Sequence, residues 1–151
     1  AFGPKNMGLS DKEVNERVLE AARLTGLTED YLEKSPFELS GGEKRRLAVA
    51  GIIAMNRSLI IFDEPFANLD WPGVKTVCSI LKQLKEERKT IIVLTHELEK
   101  IIGMADRFII LDKGKIRFDG TPEEGLKEPL EKWSIRNPVT AYHSLEDLVW
   151  L

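Results

Sequence analysis

An unbroken apolar run that ends in two carboxylates is the feature that most constrains the fold of this chain. The run is Leu59–Phe62, and Asp63, Glu64 and Pro65 follow it directly. An apolar run without polar alternation is typical of a parallel strand that is buried on both faces. Open parallel sheets bind their ligands at the carboxyl ends of the strands, where Asp63 and Glu64 would lie. Taken alone, the two acids fit equally well as residues that merely end a strand.

Two further apolar runs alternate with helical patterns and predict an α/β fold with a parallel sheet. Thr90–Thr95 predicts a second buried strand, which His96 follows, and Phe108–Leu111 predicts a third strand. Apolar residues at helical spacing over residues 74–84 predict a helix between the first two strands, and another helix is expected over Leu98–Met104. The order strand, helix, strand, helix, strand is that of α/β proteins.

The ends of the chain carry local signals and no evident chemistry. A Gly-Pro pair places residues 2–6 in a loop, and Ser10 with Glu13 predicts the capping box of a helix over Asp11–Thr25. A second short helix is expected over Thr28–Lys34, which completes a charged helical hairpin.

After the third strand, Asp112–Lys115 predicts a turn into a half-exposed antiparallel strand over Ile116–Phe118. Thr121 and Pro122 predict a helix start. The segment from Pro129 to the end is a less periodic tail, which is expected to pack on the domain or on a partner.

Ser40-Gly41-Gly42 predicts the start of a helix that is apolar nearly all round over Leu47–Met55. A helix of that composition is expected to be buried. Its glycine-rich N-terminus would present backbone N–H groups and the positive end of the helix dipole, which together form an anion site. The alternative for these three residues is a flexible N-cap without a ligand.

Composition excludes several classes of function. The 151 residues suffice for one domain, and 25 acidic against 22 basic residues give a net charge of −3, so no overall basic field would recruit nucleic acid. The single Cys78 excludes an internal disulfide, fits a reducing cytoplasm and is expected in the core. No apolar stretch approaches the length of a membrane span. The chain begins without methionine or a signal peptide, and we expect a fragment or a processed chain.

Four motifs in order resemble those of the ATP-binding-cassette (ABC) transporter ATPases. Leu39–Glu43 resembles the signature motif, with glutamate where glutamine is commoner. Leu59–Asp63 resembles the Walker B strand and Glu64 the catalytic glutamate that follows it. Ala67–Asp70 resembles the D-loop, and His96 resembles the switch histidine. The resemblance implies an ATPase with ATP and Mg²⁺ as cofactors, and an α/β P-loop NTPase core with parallel strands, flanking helices and a small helical subdomain.

The resemblance assigns a role to each of these residues. Asp63 would hold Mg²⁺ through its water shell. Glu64 would orient or deprotonate the attacking water. His96 would contact the γ-phosphate and sense its presence, although a histidine at a strand end is commonly packed in a core.

The signature residues are implied to act on a second subunit. Ser40, Gly41, Gly42 and Glu43 would bind the γ-phosphate of a nucleotide held by the opposite subunit. Asp70 would couple the two sites across the dimer. The implied partners are therefore a second nucleotide-binding subunit and a transmembrane transporter subunit, with no nucleic acid.

A narrower resemblance points to the energy-coupling-factor class, whose members import vitamins or metal ions such as cobalt or nickel. It rests on Phe2–Asn6 and on the charged hairpin that follows. The implied location is the cytoplasmic face of the membrane. Phe66 and Trp71 depart from the family pattern without removing a catalytic group.

The chain contains no Gly-x-x-x-x-Gly-Lys-Ser/Thr sequence. The resemblance therefore covers the C-terminal half of a nucleotide-binding domain: residues 1–38 as part of the helical subdomain, 39–128 as the motif-bearing core and 129–151 as the tail. The isolated chain is expected to be inactive. The strand that carries the phosphate loop in the family lies between the strands before His96 and at Phe108–Leu111, and we expect the chain to close this gap, swap elements with a copy of itself or bind the missing segment.

Two other functions stay open from the sequence. One is a non-enzymatic module that supplies Ser40-Gly41-Gly42 to a partner's ATP site. The other is a chromosome-maintenance or DNA-repair ATPase, which shares the signature and Walker B motifs but carries long coiled coils, and no heptad run beyond a single helix occurs here.

Overall fold

The computed structural model describes residues 1–139. The remainder of the predicted tail, residues 140–151, lies outside the described residues. The chain divides into two compact units, Ala1–Val93 and Leu94–Leu151. Each unit is described by itself.

The first unit carries most of the helices and one two-stranded sheet. Its elements are α1 (Phe2–Asn6), α2 (Asp11–Leu24), 3-10 turns at Glu29–Leu32 and Pro36–Glu38, α3 (Gly41–Ile53), β1 (Leu59–Asp63), α4 (Trp71–Glu86) and β2 (Thr90–Leu94), whose last residue crosses the boundary.

Local signals place α2 where the sequence predicts it. Ser10 and Glu13 form the predicted capping box, and α2 ends at Leu24, one residue before the predicted end. Gly26 follows with a φ of 68°, a conformation that glycine adopts without strain. The expected helix over Thr28–Lys34 is instead a 3-10 turn over Glu29–Leu32.

The predicted loop at residues 2–6 is wrong, because Phe2–Asn6 forms the short helix α1. Pro4 lies in its first turn, where the backbone N–H that proline lacks would have no acceptor within the helix. The Lys5 N–H donates to the Ala1 carbonyl at 3.1 Å and closes that turn.

β1 and β2 pair in one sheet and begin at the same end, since the Thr90 N–H donates to the Ser58 carbonyl at 2.7 Å. With α4 between them in sequence they form a β-α-β unit. The prediction that β1 is buried on both faces is wrong. Ile60 and Phe62 are buried, whereas Leu59 and Ile61 are 49% and 57% exposed. The strand packs through one face only.

The prediction of a buried helix after Ser40 is also wrong in part. α3 forms there, but only Ala50 and Ile53 are buried along it, and Ile52 is exposed. Within the first unit α3 packs mainly against α2, and this contact leaves much of the apolar surface of α3 partly exposed.

The second unit is built around an antiparallel hairpin. β3 (Phe108–Asp112) pairs with β4 (Lys115–Gly120), with Phe108 opposite Gly120 and Ile110 opposite Phe118. Lys113 and Gly114 connect the strands with φ of 49° and 72°, as expected for a two-residue hairpin turn. The hairpin and its turn are therefore as predicted.

The described strands form two two-stranded sheets, β1-β2 and β3-β4. A tight turn holds β4 beside β3, so their pairing costs little loop entropy. Among residues 1–139, β2 does not pair with β3, so the strands do not close the expected gap by pairing directly. The other two expected outcomes, swapping and binding of a missing segment, stay predictions.

The predicted helix over Leu98–Met104 is two 3-10 turns, Leu98–Lys100 and Ile102–Met104. Ile101 interrupts the run with φ −136° and ψ −25°, outside the helical region. Beyond the hairpin lie α5 (Pro122–Gly125), which begins with the predicted Thr121 cap, and a 3-10 turn at Leu130–Trp133.

The start of the predicted tail packs on this second unit. Leu130 is buried in a cluster with Leu98, Phe108 and Ile110, and Trp133 packs against it. Across residues 1–139, no helix is both long and apolar enough to cross a membrane.

Candidate functional site

The Ser40-Gly41-Gly42 turn caps α3 as predicted. The Ser40 N–H donates to Glu43 Oε2 at 2.7 Å, and the Glu43 N–H donates to Ser40 Oγ at 3.3 Å. Gly41 and Gly42 are exposed, and a Cβ built on either would have no neighbour within 4 Å. Since the first backbone N–H groups of a helix lack an acceptor within it, this open turn can receive an anion from outside the unit.

Glu43 is held by a residue that the sequence did not single out. The hydroxyl of Tyr31 donates to Glu43 Oε1 at 2.6 Å. Hydrogen bonds from Ser40, and then from Tyr31, lower the pKa of Glu43 from 4.5 to about 2. The same contact raises the pKa of Tyr31. Glu43 therefore fixes the signature turn, and both of its carboxylate oxygens already accept hydrogen bonds within the unit.

Asp63 and Glu64 lie where predicted, at the carboxyl end of β1. Asp63 is the last residue of the strand and is exposed, and Glu64 is half-buried. Glu64 has a φ of 45°, which is uncommon for any residue other than glycine and is typical of strained functional positions.

The loop after Glu64 is anchored in the core. Phe66, which departs from the family pattern, is completely buried at 0% exposure. The Ala67 N–H donates to the Glu64 carbonyl at 3.3 Å, and the Leu69 N–H donates to the Phe66 carbonyl at 3.2 Å. A bulky residue at position 66 thus fixes this loop to the unit.

Asp70 ends the loop as the N-cap of α4. Its Oδ1 accepts a hydrogen bond of 2.9 Å from the Gly73 N–H. A Cβ at residue 73 would approach Asp70 Oδ1 to 2.9 Å, so this cap requires glycine at that position. Trp71, the first residue of α4, is largely exposed, with the Lys75 ammonium 5.2 Å from its ring centre.

Arg45 is a second residue that the sequence did not assign. From α3 its guanidinium donates to three backbone carbonyls of the loop, those of Glu64, Pro65 and Ala67. The structure thereby brings the signature helix and the loop of the predicted catalytic glutamate together within one unit. The only sequence signal for Arg45 was its position shortly after the glycine turn. That signal could not identify its hydrogen-bond acceptors, which lie about twenty positions away in sequence.

His96 belongs to the second unit and is exposed, two residues after the end of β2. The neighbouring Thr95 accepts a hydrogen bond of 3.0 Å from the Glu97 N–H at its Oγ1. This hydrogen bond holds the short segment after the strand.

The Asp63 carboxylate suits a magnesium ion whose other ligands come mainly from a nucleotide and water. Within residues 1–139, no group of three or more His, Cys, Asp or Glu side chains could hold a metal ion. Mg²⁺ keeps several waters and commonly takes one or two carboxylates together with substrate phosphates. A single exposed carboxylate at Asp63 fits that mode of binding.

Comparison with known proteins shows what the chain is similar to. Residues 5–67 match the family model described as ABC transporter. A protein of Caldanaerobacter subterraneus named energy-coupling factor transporter ATP-binding protein EcfA2 is 45% identical over 141 residues, which cover 91% of this chain and 49% of that protein. The EcfA2 of Clostridium tetani is 43% identical, with 94% of this chain and 51% of the relative covered.

Solved structures show the same relationship. Clostridium perfringens cbiO1, described as part of the ABC transporter complex cbiONQ, superposes with a TM-score of 0.71 at 35% identity, over 91% of this chain and 56% of that one. A dimeric ATP-binding cassette in a post-hydrolysis state with ADP and Pi, MJ0796, gives a TM-score of 0.64 at 30% identity, over 76% of this chain and 49% of that one.

Fold and sequence thus confirm the predicted class: the chain is an α/β relative of the ABC transporter ATPases. Within that class it is similar to the ATP-binding proteins of energy-coupling factor transporters. The chain spans about half the length of the curated relatives it matches. Neither alternative, the non-enzymatic module or the chromosome-maintenance ATPase, is favoured by these relatives.

Proposed function

We propose that this chain is part of the ATP-binding and hydrolysing subunit of an ABC importer of the energy-coupling-factor type, with a vitamin or a metal ion as cargo. The observation that carries the proposal is that one unit contains both the open turn at Ser40, at the start of α3, and the carboxylates Asp63 and Glu64 at the end of β1. The names of the relatives support the importer class.

In this proposal Asp63 holds a hydrated Mg²⁺ at the end of β1, and the ion supplies positive charge that neutralises the phosphates. Glu64 accepts a proton from, or orients, the water that attacks the γ-phosphate. Its strained backbone and anchored loop support this role, since strain of this kind persists where the surroundings fix the residue. His96 contacts the γ-phosphate and senses its presence.

The signature turn acts on the nucleotide of a second subunit. Gly41 and Gly42 are exposed, with no neighbour within 4 Å of a Cβ built on either, and the dipole of α3 favours the negative charge of a phosphate there. Glu43 stabilises the turn through its two hydrogen bonds with Ser40. Asp70 couples the two half-sites from the D-loop.

The assembly follows from the same roles. A signature turn that serves another subunit's nucleotide requires a dimer of nucleotide-binding subunits, and import requires a transmembrane subunit, so the protein lies at the cytoplasmic face of the membrane. Residues 1–38 form part of the helical subdomain, 39–128 the motif-bearing core and 129–151 the tail.

The test uses a chimera in which this chain replaces the matching half of the Caldanaerobacter subterraneus relative, referred to below as the completed ATPase. The completed ATPase should hydrolyse ATP with Mg²⁺, and the isolated chain should not. Glu64→Gln should abolish turnover while ATP-dependent dimers persist in size-exclusion chromatography. Glu20→Gln, at an exposed position of α2, is the matched control and should keep full turnover.

Two outcomes would contradict the proposal. A completed ATPase without hydrolysis would overturn the assigned activity. Retained hydrolysis in Glu64→Gln would remove Glu64 from the role of base and leave the family relationship intact.

A further inference from the structure

The guanidinium of Arg45 makes a three-point contact with the loop that follows β1. Its Nη2 donates to the carbonyls of Glu64 at 3.1 Å and Pro65 at 2.7 Å, and its Nη1 donates to the carbonyl of Ala67 at 2.5 Å. Arg45 is half-buried, so these hydrogen bonds are partly shielded from water. Arginine suits the position because its planar fork offers five fixed donors, whereas lysine offers one rotatable ammonium.

The loop that Arg45 holds is strained. Glu64 and Asn68 adopt φ of 45° and 58°, in the left-handed region. A non-glycine residue persists in this region only where its surroundings fix it. Hydrogen bonds from a charged donor are stronger than those from a neutral one, so the three bonds from Arg45 can offset this strain.

The other end of the connection is the signature turn. Arg45 lies five residues after Ser40 on α3, which is roughly 7–8 Å along the axis at about 1.5 Å per residue. A helical segment this short is rigid, so a displacement of the turn at Ser40 moves the guanidinium and the carbonyls that it holds.

We propose that Arg45 is a positioning residue that ties the placement of the Glu64 carboxylate to that of the Ser40-Gly41-Gly42 turn. This inference rests on the proposed function, in which the turn contacts one nucleotide and Glu64 acts at another. Engagement of the turn by the partner subunit's nucleotide is then transmitted through α3 and Arg45 to the base of this subunit's own site. Arg45 touches neither nucleotide and acts through the backbone of Glu64.

The first test measures the connection in the isolated chain. Amide hydrogen exchange should show that Arg45→Ala accelerates exchange at residues 64–69, with α2 and α4 unchanged. Lys44→Ala, at the exposed neighbouring position, is the matched control and should leave every segment as in the wild type. Unchanged exchange of residues 64–69 in Arg45→Ala would overturn the inference.

The second test measures the consequence in the completed ATPase. Arg45→Ala should lower kcat at least tenfold and leave the KM for ATP within twofold, because ATP contacts are kept while the base is misplaced. Millimolar guanidinium chloride should restore part of kcat in Arg45→Ala and have no effect on Glu64→Gln. Arg45→Lys should retain an intermediate kcat.

The outcomes separate this inference from the proposed function. A completed wild-type ATPase that does not hydrolyse ATP overturns the proposed function. Hydrolysis that Glu64→Gln abolishes and Arg45→Ala leaves at the wild-type kcat overturns the role of Arg45 alone. A loss in Arg45→Ala that appears as a raised KM, or that guanidinium does not relieve, assigns Arg45 a merely structural role.

Discussion

The hydroxyl of Tyr31 donates a hydrogen bond of 2.6 Å to Oε1 of Glu43, and this contact joins the charged N-terminal segment to the signature helix. Tyr31 lies on the 3-10 turn at Glu29–Leu32, whereas Glu43 lies in the first turn of α3. The acid is therefore fixed from two sides, by its own helix cap and by a second element. This explains why glutamate is accommodated at a position where the family pattern commonly has glutamine.

Removing the tyrosine hydroxyl should raise the pKa of Glu43. In Tyr31→Phe the carboxylate keeps its bonds to Ser40 and loses one donor, so its pKa should move from about 2 part of the way back toward 4.5. Carboxyl-carbon NMR titration of the isolated chain measures the shift. Glu13 is the internal control, since it caps α2 through Ser10 without a tyrosine and its pKa should stay the same. An unmoved Glu43 would show that the contact with Tyr31 does not form in solution.

The lowered pKa of Glu43 predicts a pH range over which the stability of the fold falls with acid. The pKa of Glu43 is lower in the folded chain than its usual 4.5, so its ionised form stabilises the fold. That contribution is complete above pH 4.5 and is lost as the pH falls toward about 2. In urea denaturation the stability difference between the wild type and Glu43→Gln should therefore shrink as the pH is lowered through this window. A difference that is constant with pH would contradict the lowered pKa.

Local interactions were predictable from the sequence, and long-range contacts were not. The capping box at Ser10, the helix starts at Ser40 and Thr121 and the hairpin turn at Lys113-Gly114 involve residues a few positions apart, and all of them form. The burial of β1 and α3 was mispredicted, because composition shows which residues suit a core and does not show which faces find a partner. Arg45 was missed since its three acceptors are separated from it by 19–22 positions.

Phe66 should be a principal stabiliser of the first unit. Its side chain is completely buried, and Phe66→Ala should cost about 3–5 kcal/mol of unfolding free energy through lost burial and the cavity left behind. Phe37→Ala removes the same ring from a residue that is 91% exposed and should stay within about 0.5 kcal/mol of the wild type. Urea denaturation of both variants makes the comparison. Equal losses would show that the loop after Glu64 is not anchored in the core.

Two substitutions of Asp70 should distinguish its role as a helix cap from a role of its negative charge. Asp70→Ala removes the acceptor for the Gly73 N–H and should cost about 0.5–2 kcal/mol, whereas Asp70→Asn keeps an acceptor there and should cost a few tenths of a kcal/mol. If the charge of Asp70 couples the two half-sites, Asp70→Asn should still lower ATP hydrolysis by the completed ATPase. Full hydrolysis in Asp70→Asn would leave Asp70 with the cap alone.

The outward face of the β1-β2 sheet should drive self-association of the isolated chain. Leu59, Ile61 and Ile92 are each about half exposed on these two short strands. Exposed apolar strands without charges or proline pair readily with another copy. Light scattering should therefore report a mass that rises with concentration, and limited proteolysis should show the strands becoming protected at the same time.

The double variant Ile61→Thr with Ile92→Thr should lower this self-association. Threonine keeps the β-branched shape that suits a strand and removes much of the apolar surface. Ile116→Thr is the matched control, because Ile116 is an exposed strand residue of the β3-β4 hairpin and its replacement should leave the association unchanged. If the chain binds a missing segment in preference to itself, adding the other half of the Caldanaerobacter subterraneus relative should dissolve the assemblies. A chain that stays monomeric at every concentration, with both strands protected from protease, would show that this face needs no partner.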